Sequence, residues 1–140
     1  MKVTLNRIDD KYHFEAKGAS GVPVHIDNKT SDVVKGSSPM ELLLMGVGGC
    51  SAIDIIMILK KQKQEIESYE IEVEVDRKET KSAKPFKAIH TTIYLKGNID
   101  EEKAKRAAAL SFEKYCSVSI TLEGNVDITY SVVLNNRKIV

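Results

Sequence analysis

Two cysteines, Cys50 and Cys116, are the residues of this chain best suited to nucleophilic and redox chemistry. A deprotonated thiol attacks peroxides and disulfides, and two neighbouring thiols can interconvert with a disulfide. A disulfide requires the two Cα atoms to lie within about 7 Å of each other, a distance that the sequence does not give. Either cysteine could instead be a small, packed, inert side chain, so its role depends on the elements that position it.

The first cysteine ends the segment Met-Gly-Val-Gly-Gly-Cys, which lies inside a long apolar stretch. Glycine costs about 1 kcal/mol relative to alanine inside a helix, so these glycines require a physical reason. One reason is close packing against a neighbouring element, and another is room for a substrate beside the sulfur. Gly46 precedes Cys50 by about one helical turn, so we expect it to leave space over the thiol.

The apolar stretch itself predicts a long helix. Ser38 followed by Pro39 indicates a helix start, and the helix is expected to end near Gln62–Gln64. Between Leu42 and Leu59 the only charged residue is Asp54. That charge and the glycines argue against a membrane span, so we interpret the segment as a central buried helix. A chain of 140 residues can hardly cover such a helix alone, and we expect a second subunit to cover part of it.

The rest of the chain is predicted to form strands around two helices. Alternating apolar and polar residues predict strands near residues 3–5, 12–16, 22–26, 69–75, 86–95 and 126–134. A second helix is predicted to start after Asp100 and to continue to Tyr115. This order predicts an α+β fold with a mostly antiparallel sheet, and we expect a single domain over residues 1–140.

Composition limits the classes of partner. The chain has 21 Lys plus Arg and 20 Asp plus Glu, a net charge of +1, so no basic surface for nucleic acid or an anionic membrane is indicated. Its N-terminus lacks the uninterrupted apolar run of a secretory signal, and we expect a cytoplasmic protein in a reducing compartment. We expect no metal and no other cofactor.

Two motifs resemble those of the OsmC/Ohr family, named for osmotically inducible protein C and organic hydroperoxide resistance protein. The segment Ser38-Pro-Met-Glu-Leu-Leu-Leu-Met-Gly-Val-Gly-Gly-Cys50 is similar to the family's Asn/Ser-Pro-x-x-Leu…Gly-x-x-x-Cys helix. The segment Cys116-Ser-Val-Ser-Ile-Thr-Leu-Glu-Gly-Asn-Val-Asp is similar to its second motif, a cysteine followed by a short helix and a strand. The order of strands and helices matches over nearly the whole chain.

The resemblance implies a fold, an assembly and an activity. It implies an intertwined homodimer, with long central helices wrapped by two sheets and active sites at the dimer interface. It also implies a thiol-dependent peroxidase for organic hydroperoxides, in which Cys50 attacks the O–O bond and becomes a sulfenic acid. Cys116 would then resolve the sulfenic acid as a disulfide, and an external dithiol would restore both thiols. An apolar pocket would favour organic hydroperoxides over hydrogen peroxide.

The chain departs from the family pattern in the charged residues that support the first cysteine. The family's peroxidases pair that cysteine with an arginine held by a glutamate directly after the helix-starting proline. Here Met40 occupies the glutamate position, and Glu41, one residue later, is predicted to point away from the Cys50 face. No arginine lies between Asp9 and Ser38. The candidate cations there are Lys11, Lys17, Lys29, Lys35 and His25.

A carboxylate close to Cys50 is the second departure. Asp54 follows Cys50 by four residues and so shares its helix face, where a negative charge would disfavour the thiolate. We expect Asp54 to pair with a lysine or to cap a neighbouring element. Two hypotheses therefore remain at the level of sequence. The chain is a thiol peroxidase, or it is a non-peroxidase relative that senses redox state or binds a small apolar molecule.

Overall fold

The computed structural model describes all 140 residues, in two compact units, Met1–Leu44 and Met45–Val140. The first unit contains a three-stranded antiparallel sheet of β1 (Thr4–Arg7), β2 (Phe14–Lys17) and β3 (Pro23–Ile26) in that order. These are the three short strands that the alternation of apolar and polar residues predicts. Pro23 is the first residue of β3, the last strand in the sheet order, a position at which proline is tolerated in sheets.

Helix α1 spans Pro39–Lys61, close to the predicted bounds. A reciprocal capping box starts it, in which the Ser38 N–H donates to Glu41 Oε2 at 2.7 Å and the Glu41 N–H donates to Ser38 Oγ at 3.3 Å. The carboxylate of Glu41 therefore has a structural role at the helix start. The Ser38 backbone N–H, the largest influence, lowers the pKa of that carboxyl. The stabilisation from this capping bond is therefore fully present above the ordinary carboxyl pKa and is lost as pH falls through the lowered pKa.

One side of α1 is buried along a stripe of five residues, namely Val47, Gly48, Ser51, Ile55 and Leu59. A Cβ added at Gly48 would lie 3.1 Å from Val73 Cγ2, so this glycine permits close packing on a strand of the second unit. The Ser51 hydroxyl donates to the carbonyl oxygens of Val47 and Gly48, which satisfies it inside the core. By length and composition alone α1 is long and apolar enough to cross a membrane, but its buried stripe is that of a core helix.

The second unit contains a four-stranded sheet in the order β4-β5-β6-β7. Its strands are β4 (Glu65–Arg77), β5 (Phe86–Asn98), β6 (Asp127–Leu134) and β7 (Arg137–Lys138). Glutamates alternate with apolar residues along β4, and its acidic face is exposed. The core joins α1, the inner sheet face and the second helix through buried residues that include Ile55, Leu59, Ile93, Leu95, Ala104, Ala107, Ala108 and Val132.

Most strand pairs are antiparallel, as predicted, but β5 and β6 run parallel. The chain between them forms α2 (Glu101–Leu110), a π-helix (Ser111–Tyr115) and α3 (Ser117–Leu122). Parallel neighbours require such a crossover connection. Asp100 caps α2 as predicted, with its carboxylate accepting from the Lys103 N–H at 2.9 Å. The single helix expected up to Tyr115 is instead interrupted after Leu110 by the π-helix.

The side of α1 opposite the buried stripe is exposed in the single chain. Leu43, Met45, Ile53 and Met57 all expose more than two-fifths of their surface, and Ile53 exposes 61%. The sequence predicts that α1 is buried on all sides, and the chain's own fold buries one side of it. The other side carries large apolar side chains that are exposed in the single chain, and water disfavours such exposure.

Substitution of Gly97 tests the packing between β4 and β5. Gly97 has a φ of 144°, and an added Cβ would lie 2.0 Å from the Glu65 carbonyl oxygen, which is backbone and has no other rotamer to adopt. We expect Gly97→Ala to lower the free energy of unfolding by at least about 3 kcal/mol, measured by urea denaturation. Gly124→Ala is the control, because Gly124 has a φ of 84° and no atom within 4 Å of an added Cβ. It should cost only about 1 kcal/mol, and equal losses in the two variants would contradict the steric account.

Candidate functional site

Cys50 lies in the middle of α1 as a partly exposed free thiol. One turn earlier, Gly46 faces α3, and a Cβ there would meet Val118 Cγ1 at 3.8 Å, an ordinary contact distance. Gly49 is exposed, and beyond its own stretch of helix no atom lies within 4 Å of an added Cβ. The glycines around Cys50 therefore have different surroundings. Gly48 packs on the sheet, and Gly49 faces open space.

The π-helix positions the second cysteine, Cys116, which directly follows it. It ends where the Cys116 N–H donates to the Ser111 carbonyl oxygen at 2.7 Å, a bond that spans five residues. One residue more than in an α-helical turn rotates the following chain by about 100° around the axis. Cys116 then leaves the helix with an extended backbone (φ −70°, ψ 96°) and becomes the N-cap of α3.

Cys116 is fully buried, and its sulfur is hydrogen-bonded. The Ser119 hydroxyl donates to Cys116 Sγ at 3.1 Å, and the Ser119 backbone N–H donates to the same sulfur at 3.4 Å. Burial raises the pKa of the Cys116 thiol, while both Ser119 bonds lower it. The adjacent Cys50 thiol also interacts with this side chain and raises its pKa further.

The two predicted thiols therefore lie close enough to interact, although they are 66 positions apart in the sequence. Both are free cysteines. Their exposures differ, because Cys50 is partly open to solvent and Cys116 has 0% exposure. A small reactant from solvent therefore has access to Cys50 before it has access to Cys116.

Asp54 is anchored one turn from Cys50 by a hydroxyl. The buried Ser111 donates to Asp54 Oδ2 at 3.2 Å and also lies 3.5 Å from the Ser51 carbonyl oxygen. The expected partner was a lysine or a neighbouring element, and the partner found is the first residue of the π-helix. This bond ties α1 to the segment that carries Cys116, next to the pair of thiols.

The other supporting candidates lie in the first unit. Lys35 has an exposed side chain, and its backbone N–H donates to the buried Asp27 carboxylate at 2.9 Å. His25 is exposed, and its Nδ1 lies 2.9 Å from Nε2 of the buried His13. Together with Glu41 in its capping box, these residues have contacts within their own unit that account for them structurally.

A cavity of about 450 Å³ begins at Asp54 and continues along α1 away from Cys50. It is lined by Asp54, Met57, Ile58, Lys61, Gln62, Leu110 and Tyr115. The lining is apolar along its walls and carries charged groups at two positions, which suits an amphipathic small molecule. No cluster of three or more His, Cys, Asp or Glu side chains could hold a metal ion.

Sequence reasoning missed Ser111 and Ser119, which hold Asp54 and Cys116. Ser119 follows Cys116 by three residues, the spacing at which an N-cap side chain receives a backbone N–H. That spacing could have indicated the role of Ser119. No local pattern indicated the role of Ser111, because it depends on the π-helix and on a contact with Asp54, 57 positions away.

Comparisons with known proteins agree with this architecture. A family model described as OsmC-like protein matches residues 29–131. Protein YhfA of Escherichia coli K12 is 39% identical over 119 residues, which are 84% of this chain and 87% of that protein. The crystal structure of a hypothetical protein from Aquifex aeolicus VF5 is 31% identical with a TM-score of 0.79 and covers 96% of each chain. The organic hydroperoxide resistance protein OhrB of Bacillus subtilis is 27% identical with a TM-score of 0.62, over 94% of this chain and 96% of that one.

The unequal exposure of the two thiols predicts their order of alkylation. With the reduced native protein, iodoacetamide should modify Cys50 at least about tenfold faster than Cys116, because the buried thiol is shielded and its pKa is raised. Peptide mass spectrometry of quenched samples measures both rates. In guanidinium chloride the two rates should become equal. Equal rates in the native protein would contradict the buried position of Cys116.

Proposed function

This chain belongs to the OsmC-like protein family, and we propose that it is a thiol-dependent peroxidase that reduces organic hydroperoxides. The observation that carries the proposal is that a partly exposed thiol, Cys50, lies near enough to the buried thiol Cys116 to raise its pKa. The likeness to OhrB, named as an organic hydroperoxide resistance protein, supports the choice of substrate.

Each step of the proposed reaction uses one of the two sulfurs. The Cys50 thiolate attacks the terminal peroxide oxygen, the O–O bond breaks, and the alkoxide leaves and is protonated to the alcohol. Cys50 is then a sulfenic acid. The thiolate of Cys116 attacks that sulfur, water leaves, and a disulfide joins the two residues. An external dithiol reduces the disulfide and is itself oxidised to a disulfide.

The cavity that begins at Asp54 supports an organic rather than an inorganic peroxide. Met57, Ile58 and Leu110 give it apolar walls, and burial of an alkyl group there contributes about 25 cal/mol per Å² of apolar surface removed from water. Hydrogen peroxide has no such group. Asp54 and Lys61 at the same cavity would orient a polar end of a longer hydroperoxide.

We further propose a homodimer in which a second copy covers the exposed side of α1. The exposed run of Leu43, Met45, Ile53 and Met57 supports this assembly, since such a surface is unfavourable in water. We propose a cytoplasmic location, where thiols stay reduced between turnovers. We also propose that residues 1–140 form one OsmC-like domain, because solved relatives match both units together over 94–96% of the chain.

A second candidate function is a non-peroxidase relative that senses redox state or binds a small apolar ligand. The observation in its favour is the charge distribution around Cys50. Asp54 lies one turn away, and Met40 stands where the family's peroxidases have a glutamate. Such a site would form the sulfenic acid slowly while keeping the cavity and the pair of thiols.

The peroxidase proposal predicts different losses for the two cysteine variants. With cumene hydroperoxide and dithiothreitol, Cys50→Ser should fall to the background rate, because it lacks the attacking sulfur. Without dithiothreitol, Cys116→Ser should consume about one equivalent per chain and then stop, because its sulfenic acid has no resolving thiol in the chain. Measured peroxide loss over time distinguishes them. Background rates for the wild-type protein would refute the peroxidase and leave the second candidate.

The dimer proposal predicts that a charge on the exposed side of α1 separates the copies. Ile53 is 61% exposed in the single chain, so Ile53→Lys should leave the fold intact and shift the mass in solution from dimer to monomer. Light scattering coupled to size exclusion measures this shift. Val140→Lys is the control, because Val140 is an exposed apolar residue at the chain end. A monomeric wild-type protein would contradict the proposal.

A further inference from the structure

The two sulfurs of the site are unequal as targets for an attacking thiol. Attack on a disulfide proceeds in line with the S–S bond, so the attacked sulfur must be open on the side opposite its partner. Cys50 is partly exposed, whereas Cys116 has 0% exposure and lies where the π-helix meets α3. Access from solvent therefore selects Cys50 as the sulfur that a reductant reaches.

If Cys50 is attacked, Cys116 must depart as a thiolate inside the protein. An anion that is buried without partners is strongly disfavoured. Ser119 supplies two donors to this sulfur, its hydroxyl at 3.1 Å and its backbone N–H at 3.4 Å. Ser119 is itself only 4% exposed, and Cys116 Sγ is the hydrogen-bond partner of its hydroxyl. This donor pair is in place before any charge forms on the sulfur.

We propose, as an inference that rests on the peroxidase function above, that Ser119 is a positioning residue that makes Cys116 the leaving sulfur when an external dithiol reduces the Cys50–Cys116 disulfide. The thiolate of the dithiol attacks Cys50 Sγ and forms a mixed disulfide. The S–S bond to Cys116 breaks, and its electron pair passes to Cys116 Sγ, where the two Ser119 donors hold it.

The second half of the reduction then takes place on the exposed sulfur. The other thiol of the reductant loses its proton and attacks the reductant sulfur of the mixed disulfide. Cys50 leaves as a thiolate, and the reductant closes to its own disulfide. The two protons that the dithiol loses match the two thiolates formed on Cys50 and Cys116, so the exchange balances without another reactant.

The site of attack is tested on a disulfide made with diamide, so that the result does not depend on peroxide chemistry. The oxidised wild-type protein is mixed with glutathione, a monothiol that cannot complete the second half, and is quenched with acid. Mass spectrometry of peptic peptides should find glutathione on Cys50. Glutathione mainly on Cys116, or failure of diamide to form the disulfide within one chain, would overturn the proposal.

The role of Ser119 is tested by the rate at which dithiothreitol reduces the same disulfide. Ser119→Ala removes the hydroxyl donor and keeps the backbone donor, and it should slow the reduction about tenfold. Ser119→Thr retains a hydroxyl and should restore most of the rate. Ser117→Ala is the matched control, because Ser117 is exposed and begins the same short helix without contacting the sulfur. Its rate should equal that of the wild type.

A thiol titration separates this role from a general loosening of the structure. In a Cys50→Ser background only Cys116 titrates as a thiol, and the ultraviolet absorbance of the thiolate reports its ionisation. Ser119→Ala should raise the pKa of Cys116, and Ser117→Ala should leave it unchanged. An unchanged pKa together with a wild-type reduction rate in Ser119→Ala would overturn the proposal. A protein that fails to turn over peroxide but whose disulfide is reduced through Cys50 would refute the peroxidase alone.

Discussion

The proximity of a thiol on α1, Cys50, to the buried thiol of Cys116 after the π-helix is the constraint on which the site depends. A straight α-helix through residues 111–115 would place the following residue about 100° away around the axis from its position after the π-helix. The π-helix instead ends in the bond from the Cys116 N–H to the Ser111 carbonyl oxygen, and the chain turns into α3 at the sulfur. The hydrogen-bond pattern of one irregular turn thus sets the position of Cys116 at the start of α3.

The surrounding packing keeps that turn in register with α1. Ser111, the first residue of the π-helix, bonds to Asp54 one turn from Cys50, and Gly48 allows α1 to lie close on β4. The same bond gives Asp54 a neutral partner beside the thiols. A carboxylate near an attacking thiolate opposes catalysis, so the hydroxyl partner fits a structural role for Asp54 better than a role in activating Cys50.

Much of the fold was predictable because local patterns and global structure agree. Alternation identified the longer strands, Ser38 followed by Pro39 marked the start of α1, and the two cysteine motifs indicated the family. The parallel pairing of β5 with β6, the short β7 and the π-helix were not predicted. Each depends on long-range pairing or on a shift of one hydrogen bond, which leaves no periodic signal in the sequence. Ser119 could have been noticed from its spacing to Cys116, but its donation to the sulfur required the structure.

The central claim is that these two thiols form one redox unit, with Cys50 as the entry point for oxidant and Cys116 as its buried partner. The most direct measurement is the intact mass of the reduced protein after one equivalent of cumene hydroperoxide, followed by peptide mapping without reductant. The account predicts a chain lighter by two hydrogen atoms, with a disulfide between the Cys50 and Cys116 peptides of the same chain. A chain that instead gains oxygen on Cys50 and keeps a free Cys116, or one that is unchanged, would contradict it.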